Sequence, residues 1–141
     1  MIIYVVAIER IIRISLADEL REANYQVFEF DNADAALLKM NTTIPDLVIS
    51  DLKMPNINGI ELLKRIKKNN NNIQVILMTA YSSISTVVEA MNLGAYDYVE
   101  KPFENEKILI MIKHILELKQ IKDENEQLKN KLNATDFRLH R

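Results

Sequence analysis

The chain has 141 residues, 48% of them apolar and 27% charged, which suits one folded domain and excludes a disordered chain. Eighteen Lys and Arg against twenty Asp and Glu leave a formal charge of −2, so a broadly basic nucleic-acid-binding surface is not expected. Zero cysteine excludes disulfides, thiolate metal sites and a cysteine nucleophile, and two histidines near the C-terminal end (His114 and His140) argue against a histidine-based zinc centre.

Ile2 to Ala7 is continuously apolar, as a strand covered on both faces should be. Ile12, Leu16, Leu20 and Ala23 then recur at helical spacing. Tyr25 to Phe30 reads as a second strand, with Asp31 or Asn32 placed to cap a helix through Ala36, Leu37 and Met40. After Pro45 the short run Leu47-Val48-Ile49 reaches Ser50-Asp51, and a loop from Leu52 to Asn58 leads to Gly59 and a helix with Leu62, Leu63 and Ile66. Beyond the polar run Asn69 to Asn72, Ile73 to Met78 forms a fourth strand. Ser82 or Ser83 is placed to cap a helix through Val87, Val88 and Met91, which Gly94 stops. Tyr96 to Val99 is the fifth strand, and Lys101-Pro102 follows it. No apolar run is long enough to span a bilayer, and the chain opens on a strand rather than on a secretory leader, so a cytoplasmic location is expected.

Strands alternating regularly with helices imply a five-stranded, parallel, doubly wound α/β sheet, flavodoxin-like in class. Such sheets bind ligands beyond the carboxyl ends of their strands. That rule selects Glu9 after the first strand, Asp51 after the third, Thr79 after the fourth and Lys101 after the fifth. Taken singly, each has an ordinary structural reading: a capping Asp, a helix-entry hydroxyl, a solvated lysine. Their convergence on one rim is the informative feature.

Three separated stretches carry a resemblance. Asp51-Leu-Lys-Met-Pro-Asn-Ile-Asn-Gly59, Met78-Thr-Ala-Tyr81 and Gly94-Ala-Tyr-Asp-Tyr-Val-Glu-Lys-Pro-Phe103 resemble the receiver domain of bacterial response regulators, over roughly residues 1–118. The wording around Thr79 and from Glu89 to Tyr98 is most similar to receivers of sigma-54-dependent transcriptional activators. The resemblance implies a non-enzymatic switch in which a sensor histidine kinase passes a phosphoryl group to Asp51. Thr79 and Lys101 would contact the phosphoryl oxygens, Tyr98 would be the aromatic switch, and Lys101-Pro102 would be a cis peptide.

The resemblance also implies Mg²⁺, held by adjacent acids after the first strand, and here those positions are Ala7 and Ile8. The candidate ligands shrink to Asp51, the backbone carbonyl of Lys53, water and, from an unfavourable position, Glu9. A metal is the main charge that offsets repulsion between an anionic donor and a carboxylate, so phosphorylation is expected to be impaired. The competing reading is a phosphorylation-independent interaction module. A dehalogenase-like phosphatase would need its nucleophile after the first strand, and a nucleotide or flavin site would need glycine-rich turns that Gly59 and Gly94 alone cannot supply.

From Glu104 helical character continues to about Leu132. Met111, His114, Leu118, Ile121, Asn125, Leu128 and Leu132 form a heptad seam with Asn125 at an a position, which favours a parallel two-stranded coiled coil. The expected division is a receiver over 1–118 and a helical linker or coiled coil over 119–141, with a homodimer as the assembly. These residues contain neither a phosphate loop nor a helix-turn-helix, so contact with DNA or sigma-54 polymerase is expected only through an output domain outside them.

Overall fold

The computed structural model describes residues 1–80 and 84–139, with side chains described up to 123 except at 84. Five strands, β1 (Ile2–Val6), β2 (Gln26–Phe30), β3 (Leu47–Asp51), β4 (Gln74–Thr79) and β5 (Asp97–Glu100), alternate with α1 (Arg10–Glu22), α2 (Ala33–Lys39), α3 (Gly59–Asn69), α4 (Ile84–Asn92) and α5 (Asn105–Leu139). The sheet is parallel throughout, in the order β2-β1-β3-β4-β5. The chain separates into two compact units, Met1–Asn105 and Glu106–Arg141.

Burial explains the hydropathy pattern within the first unit. β1, β3 and β4 lie inside the sheet and are covered on both faces, so they are apolar at nearly every position. Tyr4, Val6, Val48, Val75 and Leu77 meet Ala33, Ala36, Leu62, Leu63, Ile66 and Ala90 from α2, α3 and α4 in one core. Side chains alternate along a strand, so Ile3, Val5, Ile49, Ile76 and Met78 face the opposite side, where α1 packs and buries Leu16, Ala17 and Leu20.

The strands expected to include Ala7, Tyr25, Ile73 and Tyr96 exclude those residues, yet the ladder continues through two of them. Ala7 N–H donates to Phe30 O at 3.0 Å, and Tyr96 N–H donates to Val75 O at 2.8 Å. Of the two candidate caps for α2, Asn32 fills the role, its side chain accepting from Ala35 N–H at 2.8 Å. Gly94 has φ +100, the left-handed stop that its position called for. Ser82 and Ser83, the candidate caps of α4, lie outside the described residues.

Helix α5 is continuous to Leu139, past the expected end near Leu132. Ile108, Ile112 and Ile115 are buried; of the proposed seam, Met111 is half-buried, while His114, Leu118 and Ile121 are exposed. The side chains of Asn125, Leu128 and Leu132 lie outside the described residues.

Candidate functional site

Strand β1 is bordered by β2 on one side and β3 on the other, so the chain's winding reverses between β1 and β3. Parallel sheets open a crevice beyond the carboxyl ends at such a point. Asp51 ends β3 there, and Ala7 and Ile8 follow β1. Across the next strands, Asp51 is in register with Met78, and Thr79 with Glu100, so Thr79 and Lys101 continue the same rim. The backbone ties them directly: Lys101 N–H donates to Thr79 O at 2.7 Å and Leu52 N–H to Met78 O at 2.8 Å. The Lys101-Pro102 peptide is cis, as the resemblance implied.

Asp51 is a carboxylate with only 2% of its surface exposed, at the end of a fully buried strand. Burying such a group demands partners. Its Oδ1 lies 2.5 Å from Lys101 Nζ, and its Oδ2 accepts from the backbone N–H of Ile8 at 2.9 Å. Lys101 also reaches Glu9 Oε1 at 3.3 Å, linking the ends of β1, β3 and β5 through one ammonium. Burial acts to lower the Lys101 pKa, but hydrogen bonding and charge from Asp51, then from Glu9, outweigh it and hold the ammonium above its ordinary range.

The structure therefore brings Asp51, Lys101 and Glu9 together. Thr79 is buried at the adjoining strand end, and with Tyr98 it lines a small cavity closed by Leu77, Thr86, Val87 and Ala90. Lys53 is exposed in the loop two residues beyond Asp51. Glu9 has a largely exposed side chain turned to Lys101.

Three contacts at the site were not legible, although Gly59 itself closes the motif that begins at Asp51. The Ile8 N–H is a backbone donor that no residue type announces. Arg13, visible in the sequence only as part of the first helical pattern, donates from Nη1 to Ala7 O at 2.7 Å. Gly59 lets α3 begin against the end of β3: a Cβ there would lie 2.5 Å from Asp51 O and 2.9 Å from Leu52 Cα.

The fit to Mg²⁺ can be judged from these contacts. A magnesium ion asks for about six oxygens in octahedral array, usually including one or two carboxylates. Among the described residues there is no group of three or more His, Asp or Glu that could hold a metal. Asp51 meets an ammonium and an N–H, which are donors, where a metal would need further oxygens. The residues present do not fit the ion.

Comparison with known proteins agrees with the architecture. Residues 3–113 match the family described as the response regulator receiver domain. The chain is 41% identical over 108 residues to sporulation initiation phosphotransferase F of Bacillus subtilis (strain 168), covering 77% of this chain and 87% of that one. It is 33% identical over 115 residues to the DNA-binding transcriptional regulator NtrC of Salmonella typhimurium, covering 82% of this chain but 24% of that protein. Among solved structures, the receiver domain of NtrX from Brucella abortus superposes with a TM-score of 0.76 at 32% identity, covering 82% of this chain and 98% of that one.

Proposed function

The chain belongs to the response regulator receiver domain family, and from that premise we propose that it is the input module of a transcriptional regulator, with Asp51 as the phosphoryl acceptor position. In this reading the protein is cytoplasmic, residues 1–118 form the receiver, 119–141 form a dimerising helix, a sensor histidine kinase is the donor, and dimerisation regulates a transcriptional output. Supporting it above all is the pairing of buried Asp51 with Lys101 across the ends of β3 and β5.

The chemistry follows from that pairing. A carboxylate is a weak nucleophile, so positioning and charge neutralisation carry most of the transfer. An Asp51 oxygen attacks phosphorus in line and forms an acyl phosphate. The bond from phosphorus to the donor's histidine nitrogen breaks, and the imidazole leaves with the electron pair. Lys101 balances charge on one phosphoryl oxygen, and the Thr79 hydroxyl donates to another. Tyr98 shares a cavity with Thr79, which supports its assignment as the ring that moves when Thr79 is drawn toward the phosphoryl group. With Ala7 and Ile8 at the rim, the reaction lacks its usual counter-charge and is slow.

Incubation with acetyl phosphate, followed by intact-mass measurement, tests this. The expected result is slow, partial addition of one phosphoryl group that Asp51→Asn abolishes. Labelling that persists in Asp51→Asn would overturn the assignment. A second reading, a module that works without phosphorylation, is favoured by one observation: both Asp51 oxygens already have close cationic or donor neighbours. A dimer that forms normally while Asp51 stays unlabelled would select it.

A further inference from the structure

The groups facing Asp51 share one polarity. Lys101 presents an ammonium at 2.5 Å and Ile8 an N–H at 2.9 Å. On the β1 side, the carbonyl of Ala7 is taken by the Arg13 guanidinium at 2.7 Å. Arg13 is itself steadied by Glu29, with Nε 3.7 Å from Oε1. Glu9, the acid that follows β1, is 3.3 Å from the same Lys101 ammonium. A cup of this kind suits an anion, and the anion it holds is Asp51's own carboxylate.

We propose that this cup takes no divalent cation, because Ala7 and Ile8 leave Asp51 neutralised by Lys101 and the Ile8 N–H in place of a metal, a claim that rests on reading Asp51 as the acceptor position. A dication entering here would find the Ile8 N–H and the Lys101 ammonium against the Asp51 oxygens, and the Glu9 carboxylate already engaged with that same ammonium. It would have to displace Lys101 from a buried carboxylate and remain beside it, two like charges in one small space. Lys101 is thus the resident cation of the site. Any phosphoryl chemistry at Asp51 is correspondingly indifferent to Mg²⁺.

The test uses the full chain and two probes at constant ionic strength. Adding about 10 mM MgCl₂ is expected to move the thermal midpoint by less than about 1 °C. Submillimolar MnCl₂, followed through paramagnetic broadening of amide resonances, is expected to leave Ile8 and Leu52 sharp. In Ala7→Asp/Ile8→Asp the same additions should raise the midpoint by about 4 °C or more and broaden both amides. Saturable broadening at Ile8 and Leu52 in the unaltered chain, or a midpoint rise of several degrees, would overturn the proposal. So would a folded double variant that still ignores both ions, since the deficit would then lie elsewhere. If the double variant does not fold, the titration of the unaltered chain decides. Labelling of Asp51 can succeed or fail without moving either readout, so this outcome is separable from that of the acceptor assignment.

Discussion

At Lys101 two opposing effects meet. Its side chain is only 16% exposed, which disfavours the charge, while Asp51 and Glu9 favour it and prevail. A lysine raised above its unfolded value of 10.5 contributes stability that is complete below that pH and is lost as pH climbs through the folded value. Removing the ammonium leaves buried Asp51, among the described residues, with the Ile8 N–H as its donor. Breaking a buried pair from one side costs about 3 kcal/mol or more. Lys101→Met should therefore unfold at a lower urea concentration than the parent at neutral pH. The gap between the two should hold up to about pH 10 and then close as the parent loses its own ammonium. Urea titrations of both proteins between neutral and strongly alkaline pH measure this. A gap that stays constant to the alkaline limit would show that the ammonium is not its source.

The loop from β3 to α3 shows how an element holds a residue in place. Asn58 caps α3 by accepting from Glu61 N–H at 2.9 Å, and Gly59 N–H donates to Leu52 O at 2.8 Å, which draws the first turn of the helix onto the end of β3. The approach leaves no room for a methyl group. Gly59→Ala must push α3 away from the Asp51 carbonyl, at a cost of about 1–3 kcal/mol, and should shift the Asp51 and Ile8 amide resonances. Gly94→Ala is the contrast. Its Cβ would meet only the Lys67 side chain at 3.4 Å, so the cost comes from its φ of +100, and the cup resonances should stay put. This pair also marks where the sequence was readable. Gly94 as a helix stop is a local matter, as are the Asn32 cap and the apolar runs of β1, β3 and β4, and all could be inferred from neighbouring residues. The contact of Gly59 with β3, the Ile8 N–H on Asp51 and the Arg13 hold on Ala7 are tertiary relations, each of them made with a backbone group. Residue types carry no trace of these. The acid, hydroxyl and ammonium were legible because strand-end position and side-chain chemistry are both written in the sequence.

At the scale of the whole molecule the open matter is assembly, and α5 carries it. A helix of 35 residues extends about 50 Å, and its described buried positions end at Ile115. Beyond that, Leu118 and Ile121 are 49% and 53% exposed, an apolar pair at a spacing of three among the exposed Glu117, Lys119, Gln120, Lys122 and Asp123. Helical stability in water comes mostly from packing an apolar face, so such a stretch gains from a partner of matching pattern. The sequence continues the pattern through Asn125, Leu128 and Leu132, with Lys and Glu on the flanks. An Asn at an a position costs stability, a cost reduced when it pairs with its counterpart across a two-stranded parallel seam, and so it selects that register. Light scattering should accordingly give a dimer for the full chain and a monomer for a version ending at Leu118. Asn125→Leu should raise the melting temperature while broadening the mass distribution toward larger oligomers, because the residue that selects two strands is gone. An unchanged mass on truncation would move dimerisation off α5, and the exposed Val88 and Met91 of α4 would be the next apolar face to substitute.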